Sequence, residues 1–471
     1  MTAPTAPAAP NFEDQIQLDE KDQGLLDHFI QTALPTIFRI IESDRHRSEC
    51  TDLILAALRS NSTYLHCCLG VAARHLKSHT NSSALTEDID HDIKRHLYAT
   101  VLGFCNALKK DENHQQILEA TLGHIFFQSV VSRHDDGFLD PSWDQHFQSV
   151  VSLVQKLDLH NLVSGPDRAS TQTLFNISLC SWVDILGATM KGRAPEFCHT
   201  YRKKRDSLMN PSPGLREYLI VGVTCLEPSK NDGMDNLTLC QLVSALDEIF
   251  NPSHSPSPGL RELMGCDDGV MYLISEIACL ESLKNDGMTN FTLGQHVSVL
   301  NKTFLTKMKE IGSKMPITAD GSLSPKQLSD GITLAFCIAA RIFLQVLLPG
   351  FNPRQVTCTD LVEELTAVLR HIPSGPNGFD RNVAWVYLIG GSVSVPSSTF
   401  RAFFEYRLAQ LGDSARSGTM ERLATVLHEV WIQNDNLSDV STSGSTTSEA
   451  GQPYIHWRKV MELKGWNFLI F

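Results

Sequence analysis

Paired cysteines, phosphate-cradling loops, strand-like alternation and an excess of basic charge are all missing from this sequence, and each absence removes a class of function. Twelve cysteines are present, but they are scattered, and only Cys67 and Cys68 stand close together. A structural zinc site needs four thiolate or imidazole ligands, which sequence shows as paired Cys-x-x-Cys or Cys/His spacings. None occurs, so no metal site is expected, and the cysteines read as reduced thiols used as small core residues. Neither Gly-x-x-x-x-Gly-Lys-Ser/Thr nor Gly-x-Gly-x-x-Gly is present to aim backbone amides at phosphates. Gly390-Gly391-Ser392-Val393-Ser394 does not have the Gly-x-Ser-x-Gly spacing of a nucleophile elbow. No catalytic residue and no cofactor are therefore expected.

Basic charge is also short. Lys and Arg number 40 against 53 Asp and Glu, a formal net charge of -13. Nucleic-acid affinity comes largely from cations that neutralise phosphates, so this surface would on average repel a phosphate backbone. Met1 to Pro10 is Thr, Ala and Pro, without the basic and apolar segments of a secretory signal or the Arg-rich pattern of a transit peptide. Residues 1–20 are expected to be a disordered tail. The most apolar stretch, Ile332 to Leu348, is shorter than a bilayer span and carries Arg341 and Gln345, which fits a core helix rather than a membrane segment.

What is present is helical spacing in a chain of 471 residues that is 42% hydrophobic, enough to bury a large core. Leu65, Leu69, Ala72 and Leu76 mark one helix face, and Leu334, Ile338, Ile342 and Val346 mark another. Leu25 to Ile41 predicts a helix that Pro35 kinks or splits, because proline removes a backbone donor. Further helices are predicted at His96 to Lys109, Gln115 to Val131, His146 to Leu157, Thr171 to Met190, Gln355 to Arg370, Ser398 to Leu411 and Met420 to Ile432. Residues 438–452, rich in Ser, Thr and Gly, are expected to be a disordered loop. The fold class is all-α, one large helical domain over residues 21–471.

Ser212-Pro213-Gly214-Leu215-Arg216-Glu217 recurs as Ser257-Pro258-Gly259-Leu260-Arg261-Glu262, and Leu226-Glu227 followed by Lys230-Asn231-Asp232-Gly233-Met234 recurs as Leu280-Glu281 followed by Lys284-Asn285-Asp286-Gly287-Met288. Residues 212–256 thus read as a partly decayed tandem copy of 257–304. Two copies are too few for a solenoid. The second copy is expected to be the one built into the fold, the first a tolerated insertion.

Three charged clusters stand out. Asp88, His91, Asp92 and His96 gather where a helix is expected to begin, which is ordinary dipole and solvation chemistry. Asp135, Asp136 and Asp140 resemble, weakly, the magnesium-binding carboxylates of class I terpene synthases, and Asn285, Asp286 and Thr289 begin that family's second metal motif. Leu293 stands where the motif needs Glu, and His134, Gly137 and Pro141 around the first cluster are turn chemistry. Arg202-Lys203-Lys204-Arg205 is a basic run able to dock on a nuclear import receptor, or a solvated loop.

Several segments carry a wider resemblance. They are Leu25-Leu26-Asp27-His28-Phe29 with Pro35; Leu65 to Leu76; Trp182-Val183-Asp184-Ile185-Leu186, followed by Gly192-Arg193-Ala194-Pro195-Glu196-Phe197; Leu263-Met264-Gly265-Cys266, then Leu273 to Ala278; and Arg401 with Phe404, Glu429-Val430-Trp431, Trp457 to Met461 and Gly465-Trp466. In this order they resemble the regulatory domain of fungal binuclear zinc-cluster transcription factors, over Leu25 to Phe471. The resemblance implies a nuclear transcription regulator of a metabolic or secondary-metabolite gene set. Family members carry an N-terminal six-cysteine zinc cluster and a coiled-coil linker, and this sequence shows neither. DNA contact is therefore expected to be indirect, through other transcription factors or co-regulators, with dimerisation open. A magnesium-dependent terpene-synthase-like enzyme and a helical scaffold without a transcriptional role are the alternatives.

Overall fold

The structure, a computed structural model, describes residues 18–39, 47–80, 83–131, 142–157, 171–198, 259–312, 324–443 and 454–471. Helices make up most of these residues, and no strand occurs among them. In chain order they are α1 (Glu20–His28), α2 (Leu34–Ile37), α3 (Arg47–Ser60), α4 (Ser62–Ser78), α5 (Ser83–Lys110), α6 (His114–Val131), α7 (Trp143–Lys156), α8 (Thr171–Lys191), α9 (Leu260–Met264), α10 (Asp268–Asn285), α11 (Asn290–Gly312), α12 (Pro325–Leu347), α13 (Val356–Leu369), α14 (Ala384–Ser392), α15 (Thr399–Leu411), α16 (Gly418–Ser443) and α17 (Trp457–Leu463). Side-chain caps start several of them. Asp19 accepts from the Asp22 amide at 2.7 Å. Ser324 and Gln327 form a reciprocal capping box ahead of Pro325, whose missing N–H costs nothing at the first helical position.

Helices α4, α5 and α6 pack together in the N-terminal half, while α8, α10, α12 and α14 meet in the centre, and α6 joins the two regions through α8 and α16. Buried apolar side chains form one continuous core across these helices. The expected faces of α4 and α12 prove narrower than the buried surfaces. Cys67, Cys68, Val71 and Ala73 are as buried as Leu65 and Leu69, because α1, α5 and α6 all close on α4. In α12 the deepest residues include Ala335, Phe336, Ala339 and Phe343, whereas Leu334 and Val346 are only partly covered. Arg341 faces Asn301 of α11, donating to it at 2.9 Å. Helices α8 and α12 are long and apolar enough to cross a bilayer, and that apolar surface is buried against neighbouring helices.

Two local expectations are corrected and one is sharpened. The interruption expected around Pro35 is present, as a split in the α-helix rather than a proline kink. Residues Phe29–Ala33 form a π-helical turn, in which the Leu34 amide donates five residues back to Phe29, and Pro35 opens α2 immediately after it. Residues 438–443, expected in a disordered loop, are helical, since α16 continues to Ser443, and residues 444–453 lie outside the described residues. Ser and Thr lower helix propensity only slightly, so an established helix propagates through them. Finally, Asp88 to His96 lies inside α5 rather than at its start. Asp88 and His91 are exposed, while Asp92 and His96 are buried toward α1 and α4. Residues 212–256 lie outside the described residues. The second copy is packed: Arg261 pairs with Asp330 at 2.6 Å, and the Gly265 carbonyl accepts from Ser329 at 2.8 Å.

Histidines cluster where α1, α4 and α5 meet. His28 and His75 share one hydrogen bond at 3.0 Å, and His66 and His96 share another at 3.1 Å. Each pair needs one ring to accept, which a doubly charged pair cannot do. Burial, with His79 and His28 nearby, pushes His75 down to about 3. Burial and the Arg95 guanidinium push His96 down to about 4, against the pull of Asp22. Both values are depressed from 6.5, so below that pH the unfolded chain binds protons that the folded chain refuses. Stability is full above this point and falls as pH drops toward 4. The unfolding free energy should decline from pH 7 to pH 5, by up to about 1.4 kcal/mol per pH unit for each such histidine, seen as a falling urea midpoint. Unfolding at pH 5 should take up at least about two protons, measured by the pH dependence of the midpoint.

The start of α16 is pinned just as tightly. Gly418 has φ +67, and a Cβ there would stand 1.6 Å from the Val130 carbonyl oxygen of α6. Beside it, the Thr419 hydroxyl lies 3.0 Å from the Ser129 carbonyl and 3.3 Å from that of Phe471, while Phe471 stacks on Phe126. Gly418→Ala combines left-handed strain with a backbone clash and should cost roughly 3 kcal/mol or more, seen as a lowered thermal midpoint.

Candidate functional site

The residues that carried the resemblance converge on the turn after α8. Gly192, at φ +64, ends that helix, and the Arg193 amide donates back to Ala188 at 3.3 Å. Pro195 is buried in the turn that follows. Two helical turns upstream, the buried Asp184 carboxylate accepts both the Glu196 amide at 2.9 Å and the Phe197 amide at 3.0 Å. One carboxylate thereby ties down two backbone donors that the turn would otherwise leave without helical partners. Arg193 reaches outward to Glu196 at 3.2 Å, and Phe197 packs on the edge of the core.

Arg458, on α17, locks this turn to the rest of the molecule. Its Nη1 and Nη2 donate to the two oxygens of Glu281 on α10, at 2.7 and 2.5 Å. Its Nε donates to the Thr189 carbonyl near the end of α8 at 2.8 Å. A Cβ at position 192 would come within 2.8 Å of Nη1, so a residue with a side chain there would displace the guanidinium. Asn285 adds a bond from α10 to the Gly192 carbonyl at 3.1 Å. An aromatic series runs behind the ion pair. Trp182 packs edge-on to Phe336, Phe336 stacks on Trp385, Trp385 meets Phe343, and Arg458 lies over Phe343 and the fully buried Trp457. The Trp385 indole N–H donates to Thr189 at 2.9 Å, whereas the buried Trp182 indole N–H has no acceptor among the described residues. Next to the turn, burial would raise the Asp144 carboxyl, but hydrogen bonds from Ser142 and Lys191 outweigh it and hold it at about 2.

The C-terminal part of the motif set borders a shallow surface cleft between the α12–α13 and α14–α15 connections, α16 and Tyr454. Arg401 forms its wall. The guanidinium pairs with Asp435 at 2.6 and 2.9 Å, donates to the Ser394 carbonyl at 3.1 and 2.8 Å and lies 4.9 Å from the Trp431 ring. Trp431 in turn donates to Gly391 at 2.8 Å, and Tyr454 donates to Ser392 at 3.4 Å. Burial pushes the Tyr454 phenol well above its ordinary value. Arg401, Asn434 and Tyr454 thus spend their polar groups on the protein itself, an arrangement that shapes a surface rather than activating a nucleophile. Trp466, further on, is only half-buried, beside Phe468.

Glu281, Arg458 and Asp435 were not singled out from sequence as functional positions. Glu281 did carry a signal, an acid following Ala278, Cys279 and Leu280 in a helical pattern. The residues of the second magnesium motif do not assemble a chelate. Asn285 is spent on Gly192, Asp286 is exposed at the end of α10, and Leu293 is fully buried. Among the described residues no three His, Cys, Asp or Glu side chains gather as metal ligands. Asp135, Asp136, Asp140 and the basic run Arg202 to Arg205 lie outside the described residues.

Removing one partner of the Arg458–Glu281 pair leaves the other charge buried. Arg458→Met should therefore cost about 3–5 kcal/mol, and Glu281→Leu a similar amount. The double variant should lose clearly less than their sum, a coupling read by denaturant unfolding of all four proteins.

Comparison with known proteins identifies the family. The chain is 49% identical to the Transcriptional regulatory protein pro1 of Neurospora crassa over 476 residues, which cover 98% of this chain and 62% of that protein. The chain thus spans less than two thirds of that relative's length. No solved structure matches it. The fungal specific transcription factor domain matches residues 24–471, the stretch that holds Asp184, Gly192, Glu281 and Arg458, and the chain belongs to that family.

Proposed function

We propose that this chain is the helical regulatory body of a nuclear transcription regulator. The observation that carries the reading is the 49% identity to a transcriptional regulatory protein across 98% of this chain. Support comes also from the chemistry of the turn and cleft, whose charged groups are paired internally and hold helices together. The domain acts through protein contacts, with DNA held by other polypeptide. A net charge of -13 favours this division of labour, since the domain's average field repels phosphate.

A strain lacking the gene should show a coherent shift in a gene set, and the tagged protein should occupy the corresponding promoters. The same profile reads out whether those genes are metabolic or biosynthetic. Unchanged transcripts would overturn the proposal. Nuclear entry is assigned to Arg202, Lys203, Lys204 and Arg205. Replacing all four with alanine should leave a fluorescent fusion in the cytoplasm while the urea midpoint stays unchanged.

A further inference from the structure

Helix α1 is fastened to the core differently from the residues that follow it. Its inner face consists of Asp22, Leu25 and His28, so Leu25 is its one fully buried apolar side chain. The rest of the attachment is polar. Asp22 accepts from both terminal nitrogens of Arg95 on α5, at 3.1 Å for Nη1, and lies 3.3 Å from His96 Nε2. Lys21 reaches Asp92 at 2.9 Å, and His28 Nε2 meets His75 Nδ1 of α4 at 3.0 Å. From Phe29 onward the anchorage is apolar. Phe29, Ala33, Leu34, Ile37 and Phe38 are all buried, with Phe29 edge-on to Phe127 and Phe38 stacked on Phe126. The π-turn at Phe29–Ala33, where the backbone changes its hydrogen-bond register, marks the boundary between the two.

The bond that bridges α1 to α4 is the one that titrates. One imidazole must accept from the other, so the closed pair holds a single added proton at most, whereas separated rings hold two. His75 also faces His79 on its own helix and Arg381 from the turn before α14, and His28 faces His79. Burial pushes both rings down, His75 to about 3. The contacts around Asp22 do not change in the same range. Burial would raise the Asp22 carboxyl, but the hydrogen bonds from Arg95, with His96 and His66 nearby, outweigh it and keep the group ionised. His96 stays neutral down to pH 5, since burial and Arg95 prevail over the pull of Asp22. We propose that α1 is an acid-released latch: protonation of the His28–His75 pair frees Glu20–His28 from α4 and α5, while Phe29 holds the chain in the core. The open form takes the proton that the closed pair refuses, so closure is favoured above the ordinary histidine value of 6.5 and opening rises as pH falls below it. The face uncovered carries Arg95, His66, His75 and His96, and is cationic at the pH that opens it.

Amide hydrogen exchange of the full chain, corrected for the intrinsic pH dependence of exchange, should show opening of Glu20–His28 rising about thirtyfold between pH 7.5 and pH 5. Phe29–Phe38 and α4 should remain slow to exchange. His75→Gln keeps a hydrogen-bonding side chain opposite His28 and should cut the rise to about threefold or less. His28→Gln, at a half-buried position that tolerates the change, should cut it to about tenfold or less. Protection of α1 that does not respond to pH overturns the proposal. So does a loss of protection shared equally by α1 and α4, which is unfolding of the whole domain rather than release of one helix. A thirtyfold response that persists in both variants overturns its assignment to this pair.

Discussion

The bidentate pair between Arg458 and Glu281 holds this structure in its observed arrangement. Three helices far apart in sequence, α8, α10 and α17, meet through one guanidinium, which also covers the aromatic series from Trp182 to Trp457. Such a pair gives less net stabilisation than its short distances suggest, because both ions lose hydration. Its value lies in specification. A flat, five-donor fork fits one carboxylate and one helix-end carbonyl in a single geometry, and lysine could not satisfy all three acceptor oxygens in that plane. Gly192 then follows as a necessity, since only a residue without a side chain leaves room for the fork.

The same principle recurs around the second half of the molecule. Arg407 is buried beside Asp380, which accepts from the Tyr387 hydroxyl at 2.7 Å, and donates to the carbonyls of Leu369 and Ile372 at the end of α13. Arg401 does likewise with Asp435 and Ser394. Each arginine answers helix-end or loop carbonyls that the helices themselves leave open. The large all-helical body is thus stitched at three places by charged groups turned inward.

Local chemistry was legible in the sequence, and long-range pairing was not. The all-α class followed from helical spacing, and Gly192 and Pro195 announced a turn because glycine and proline act on their own backbone. Trp182 and Trp431 stood out as large residues within helical patterns, and both are buried. Glu281 and Arg458, in contrast, are 177 residues apart, and no periodicity connects them. The burial of α4 and α12 beyond one face was likewise invisible, because it depends on which third and fourth helices arrive. At Ser438 to Ser443 composition misled, since hydroxyl residues weaken a helix without ending it. The π-turn at Phe29–Ala33 shows the reverse case: Pro35 signalled an interruption correctly, but its geometry came from packing, with Phe29 and Ala33 both in the core.

The distance along the chain between the partners of Arg458 also sets a timetable. At about 5–20 residues per second of synthesis, Glu281 waits roughly ten to thirty seconds before its arginine is made. During that interval α10 exists with a carboxylate bound for the interior and no cation to meet it, and the Thr189 carbonyl is equally unanswered. Until α17 emerges, the central aromatic series is without the guanidinium that finally lies over Phe343.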